Sequence, residues 1–126
     1  MSRKTFVGVR DGGDRRVYVL NDLNGVTQMY RFDATCSLGI WGHSPDGFNW
    51  GYGGSAPKQL ALALLLEVTG CSDCATEYGA QFKEQIVAKL GDDWALERDA
   101  IWEWLQSAAI PGKPYKCEHF APLGVA

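Results

Sequence analysis

The residues best suited to chemistry fall into a few short groups. Cys71-Ser72-Asp73-Cys74 sets two thiols three residues apart, and Cys117-Glu118-His119 follows far downstream. Two thiolates, a third cysteine and an imidazole would make a four-ligand N/S set for zinc. A zinc ribbon has two tight pairs, and here the second is Cys-x-His, so reduced thiols without metal are the favoured reading. A redox role needs a strand before the pair and a helix after it, and a helical pattern precedes this pair. The second group is Phe48-Asn49-Trp50-Gly51-Tyr52-Gly53-Gly54-Ser55, which leads into an apolar run. Free N–H groups where a helix begins can hold a phosphate, with Lys58 adding charge and Trp50 or Tyr52 stacking on a base. The segment is neither a Walker loop nor a dinucleotide fingerprint, because the Gly-Lys-Ser/Thr ending and the Gly-x-Gly-x-x-Gly spacing are both absent. His43, Ser44 and Asp46 share one loop, and neighbours in one loop rarely reach triad geometry. Asp92, Asp93, Glu97 and Asp99 surround a helix start, where the dipole favours acids. These residues contain no convincing catalytic set, and no cofactor is expected unless zinc fills the cysteine sites.

Charge narrows the partners. The 126 residues carry a formal net charge of −3, which excludes both a strongly basic nucleic-acid binder and a dense acidic mimic of DNA. The N-terminal strands hold Arg15 and Arg16 among six basic residues, a weakly basic face that could touch phosphate or an acidic partner. No apolar run approaches the roughly 20 residues of a membrane span, and no leader pattern opens the chain. The expectation is a cytoplasmic protein without membrane contact. Hydrophobic residues at 46% and charged residues at 21% fit one globular domain, expected over residues 1–110 with an irregular tail over 111–126.

The elements that must position these groups follow from periodicity. Thr5–Arg10 and Arg16–Leu20 are β-rich runs around Asp11-Gly12-Gly13-Asp14, a hairpin signal. Asn24-Gly25 marks a second turn before a strand over Val26–Phe32, and Leu38–Trp41 is a candidate fourth strand. Ser55 is placed to cap a helix with Pro57 in its first turn. Leu60–Val68 is apolar on all sides and so belongs at the centre of the domain, ending at Gly70. Ala75, Tyr78, Phe82, Ile86 and Leu90 fall on one helical stripe, with Gly91 as a stop. A third helix is expected over Glu97–Ala108, with Trp102 at the margin of its apolar face. The fold expected is α+β: an antiparallel sheet of three to four N-terminal strands packed on a central apolar helix, with two further amphipathic helices.

The run from Phe48 to Leu65, with its Phe-x-Trp-Gly-Tyr-Gly-Gly-Ser-x-Pro-x-Gln-Leu-Ala-Leu-Ala pattern, resembles a domain-of-unknown-function family of phages, plasmids and prokaryotic genomes. The similarity extends through Tyr78, Gln81-Phe82-Lys83, Trp94 and Ile101…Trp104-Leu105, roughly residues 5–106. Ala56 and Lys58 depart from that pattern, where a glycine and a small residue are expected. The resemblance implies a fold and a mobile-element origin, and carries no activity with it.

Two functions follow as expectations. The first is a small non-catalytic interaction protein that binds and modulates a host macromolecule, such as a defence-system component. A host protein is the favoured partner over nucleic acid, and exposed aromatics such as Trp102 or strand arginines would anchor it. The second is a small-ligand module holding a phosphate or nucleotide at Gly53-Gly54-Ser55, with Trp50, Tyr52 and Lys58 around it.

Overall fold

The computed structural model describes residues 2–32 and 48–108. Four strands form one antiparallel sheet: β1 (Ser2–Asp11), β2 (Asp14–Leu23), β3 (Val26–Arg31) and β4 (Trp94–Glu97), in the order β3-β2-β1-β4. Among the described residues there are three α-helices: α1 (Ser55–Thr69), α2 (Ser72–Gln85) and α3 (Arg98–Ala108). A 3-10 turn spans Val87–Lys89. The α+β class, the three N-terminal strands and the three helices agree with the sequence pattern.

The hairpins form where turn chemistry demands them. Asp11 pairs with Asp14 across Gly12-Gly13, and Leu23 pairs with Val26 across Asn24-Gly25. Asn24 and Gly25 both have positive φ, 52° and 79°, the backbone that a tight two-residue hairpin needs and that Asn-Gly supplies. The fourth strand of the described sheet comes from far downstream. It is Trp94–Glu97, which closes the sheet on β1 by pairing Phe6 with Leu96 and Gly8 with Trp94. Leu38–Trp41 lies outside the described residues. Gly8 is required at its site, because a Cβ there would fall 2.1 Å from the Trp94 indole nitrogen.

Helix α1 is the hub. Leu60 to Leu65 are six consecutive buried residues, so the helix is enclosed on every side, as its apolar run demanded. Gly54, not Ser55, is the N-cap, and no side chain caps the start. Ser55 is already inside the helix, so the expected hydroxyl cap is absent. Gly70 ends α1 in the left-handed conformation and donates its N–H to Leu66 O at 2.8 Å, the αL ending that favours glycine.

Helix α2 is shorter and earlier than its stripe suggested. It starts at Ser72 rather than Ala75 and stops at Gln85 rather than Leu90. Ala75, Tyr78 and Phe82 are buried on one face. Ile86 and Leu90 also pack against the core, but from outside the helix. Gly91 therefore ends no helix. Helix α3 joins α2 through Phe82 and Trp104, whose rings meet edge-on with centroids 5.0 Å apart. The Trp104 indole donates to Gln85 Oε1 at 2.8 Å.

The described helices lie on one face of the sheet, and that face supplies Phe6, Val17, Val19 and Trp94 to the core. Strand β3 overhangs this layer: all six of its residues are exposed. Phe32, just past its end, turns inward between Phe6 and Phe48 at centroid distances of 5.4 and 5.6 Å.

Candidate functional site

The Gly-aromatic segment is fastened from three directions before it enters α1. Arg10, at the end of β1, is the main fastener. Its Nη2 donates to Trp50 O at 2.6 Å and to Asn49 Oδ1 at 3.1 Å, and its Nη1 to Asp92 Oδ1 at 3.0 Å. The guanidinium carbon also sits 5.2 Å from the centroid of the Trp50 ring, within cation–π range. The Arg10 main-chain N–H reaches Asp93 Oδ1 at 3.3 Å. Thus Asp92 and Asp93 tie a loop to β1, where the sequence had suggested a helix start. From below, Gly51 donates its N–H to Val87 O at 3.0 Å. From within, Asn49 Oδ1 accepts the Trp50 N–H at 2.8 Å.

Trp50 is fully enclosed and meets Trp94 edge-on at 5.6 Å. It is a core residue, and enclosure removes it as a platform for stacking a base. Tyr52 is the exposed aromatic of the segment, at 47%. Its ring lies over Gly54, where a Cβ would fall 2.6 Å from Cε2. Of the three glycines singled out, Gly51 alone has positive φ, +82°, and a Cβ on it would meet Leu90 O at 2.9 Å. Gly54 serves close approach, and Gly53 has open space around it.

The start of α1 has no acidic residue in its first turn. Lys58 is partly buried there. Burial, and secondarily the charge of Lys83, push its ammonium below the usual lysine range. A second cation beside a helix start suits an anion better than it suits Lys58 itself.

Arg15 and Arg16 do not form one patch. Neighbours on a strand point to opposite faces, and Arg15 shares its face with the buried Val17 and Val19. Arg16 points to the other face and holds Asp14 through Nε at 2.7 Å and Nη2 at 2.5 Å. This contact holds the Asp14 carboxyl below its usual range, mainly through the Arg16 hydrogen bond. Trp102 is half-buried and packs against the core, at the margin its spacing indicated.

Cys71 and Cys74 are both buried thiols at the α1–α2 corner. Among the described residues, no three His, Cys, Asp or Glu side chains are grouped to hold a metal ion. Cys117 and His119, the other half of the zinc set, lie outside the described residues, as does the tail over 111–126. Among the described residues, no helix is long and apolar enough to cross a membrane.

The sheet also has a second face, which the described helices leave uncovered. Cross-strand register places Ala95, Val7 and Tyr18 in one row, and Thr5, Leu20 and Met29 in the next. Val9 and Met29 are exposed at 38% and 65%, while Val7, Tyr18 and Leu20 shield one another in part. Charged residues ring the patch: Arg3 pairs with Glu97, Arg16 with Asp14, and Arg31 and Asp22 stand at its β3 side. None of these apolar residues stands out by motif or residue type. A signal was present, because β1 and β2 are apolar at both parities, where a sheet wetted on one face normally alternates with polar residues.

No curated protein and no solved structure matches the chain. A family model does match, over residues 6–107. That span takes in the fastened loop and the described strands and helices apart from the first residues of β1 and the last of α3, so the chain belongs to DUF6166, a family of unknown function.

Proposed function

We propose that the protein is a non-catalytic interaction module that binds a host protein through the uncovered face of its sheet. The observation that carries this reading is the apolar stripe of Val7, Val9, Tyr18, Leu20 and Met29 with its charged ring. An apolar centre with a polar rim is the anatomy of a protein interface. The charge supports a protein over nucleic acid. Arg3 and Arg16 already hold Glu97 and Asp14, and Asp11 and Asp22 add negative charge to the same face. Phosphate binding draws on uncompensated lysine and arginine. The mobile-element origin implied by the family resemblance belongs to this reading: the partner would then be a host factor whose action is blocked or redirected.

The test is an affinity pull-down from bacterial lysate, with and without nuclease, using the wild-type protein and a Val9→Lys, Met29→Lys double variant. The reading expects one stoichiometric protein that survives nuclease and is lost with the variant, while circular dichroism and Tm stay unchanged. Capture that persists in the variant, or that nuclease abolishes, would overturn it.

A second reading rests on the uncapped start of α1 and the adjacent charges of Lys58 and Lys83. It makes that helix start a phosphate or nucleotide site edged by Tyr52. A nucleotide that raises Tm in the wild type but not in a Ser55→Pro, Lys58→Glu variant would favour it. A shift that is equal in both proteins would remove it.

A further inference from the structure

The α1–α2 corner places a cysteine pair in a geometry that neither proposed function uses. Helix α1 ends at Thr69, Gly70 turns the chain in the left-handed conformation, and Cys71 is the N-cap of α2. The Cys71 sulfur accepts the backbone N–H of Cys74 at 3.4 Å. The Cys71 carbonyl accepts the N–H of Ala75 at 3.1 Å, so the turn that joins the two cysteines is already helical. The backbone before the pair is fixed as well. Thr69 Oγ1 donates to Leu65 O at 2.7 Å and accepts the Cys71 N–H at 3.1 Å. Cys71 and Cys74 are buried but not fully enclosed, each 6% exposed, and the two residues between them, Ser72 and Asp73, are exposed.

Sequence spacing alone argued against a redox pair because a helix precedes it. The structure supplies the half of the arrangement that governs the reaction. The first cysteine stands at the start of a 14-residue helix, with its sulfur on the N–H of the second. Residues at the N-cap and N3 positions sit side by side on one turn, close enough for a disulfide. A sulfur at a helix N-terminus meets the positive end of the helix dipole.

We propose that Cys71 and Cys74 form a reversible dithiol–disulfide site that exchanges with low-molecular-weight disulfides of the glutathione class. The Cys71 thiolate attacks one sulfur of the small disulfide. This forms a mixed disulfide and expels one small thiolate, while the Cys74 N–H remains on the attacking sulfur until the new bond forms. The Cys74 sulfur then attacks the Cys71 sulfur, breaks the mixed disulfide and releases the second small thiol. Two protein thiols and one small disulfide become one protein disulfide and two small thiols. Two electrons pass to the small disulfide, and the two thiol protons leave with the released thiols.

The sequence makes the reaction easy to read. Cys71 and Cys74 share one tryptic peptide, Gln59–Lys83, which holds no other cysteine. The folded protein is equilibrated in glutathione buffers of graded composition, quenched in acid, alkylated and digested. Closure of the site appears as that peptide unlabelled and lighter by two hydrogens. The oxidised fraction should rise from about a tenth to about nine tenths over a roughly 100-fold change in the ratio [GSSG]/[GSH]², as a two-electron couple requires. Cys71→Ser keeps an N-cap side chain, so this variant should fold and yet leave Cys74 alkylated in every buffer. Cys74→Ser should leave Cys71 alkylated, or hold it as a mixed disulfide with glutathione. Three results would overturn the proposal. The peptide could carry two labels in every buffer, the pair could close only after unfolding in urea, or either cysteine could pair with Cys36 or Cys117 instead.

Discussion

Residues 48–54 and strand β3 form an instructive contrast. The first is the most chemically suggestive stretch of the chain, with three aromatics and three glycines in seven residues. The second, Val-Thr-Gln-Met-Tyr-Arg, is unremarkable as a sequence. In the folded protein their roles are reversed. The suggestive segment buries Trp50, is gripped by Arg10 and hangs Gly51 on Val87. The bland one presents all six side chains to solvent and holds Met29 on the uncovered face. An unusual motif can report how narrowly a backbone is constrained, and a surface that meets partners need not look unusual.

Substitutions should separate the two regions widely. The largest effect is expected for Trp50→Ala, which empties the space beside Trp94 and takes away the ring under Arg10. A loss of about 3–5 kcal/mol is typical of such truncations, read as a lower urea midpoint. Gly51→Ala comes next. An alanine there must hold a left-handed φ and push Cβ against Leu90 O, at a cost of about 2 kcal/mol or more. A Gly53→Ala control, with open space around it, should move the urea midpoint far less. If the two alanines destabilise equally, the fastening of the loop at Gly51 is wrong. Met29→Lys should be the smallest, within about 0.5 kcal/mol of wild type, even though the reading above expects it to weaken partner capture. A loss of stability comparable to that of Gly51→Ala would mean that β3 is buried in solution and would erase the contrast.

The sequence was legible where one local cause dominates. The two hairpins follow from Gly-Gly and Asn-Gly turns. Helix α1 follows from Pro57 in a first turn, an apolar run with no strand-like alternation and Gly70 as a stop. Legibility failed where the cause is distant. Trp94–Glu97 is four residues long, too short to show a period, and it is a strand because β1 offers it an edge. The stripe through Ile86 and Leu90 reads as helix because residues flanking a 3-10 turn can also face the core, so burial alone does not reveal the change of backbone. At the candidate sites, residue types pointed to a constrained glycine, but which of three carried the positive φ depended on Leu90. Arg10 gave no signal as a lone arginine before a turn; its partners are 39, 40 and 82 residues away. Arg15 and Arg16 read as a cluster along the chain and separate once strand alternation is applied.

The position of β1 between β2 and β4 has a consequence for synthesis. The three N-terminal strands can pair as soon as Arg31 has emerged, because each neighbour is joined by a two-residue turn. The other edge of β1 must wait for Trp94–Glu97. At about 5–20 residues per second, that wait lasts several seconds on the ribosome. Throughout it the growing chain displays an unsatisfied ladder, with Phe6 beside it and α1 not yet covered. The same late closure gives β1 and β4 the most distant pairing in the sheet, the kind that slows folding because a long loop must close first. While it is still being made, the chain thus carries a half-built sheet whose open edge is a place for a chaperone, or for another nascent copy, to pair before β4 arrives.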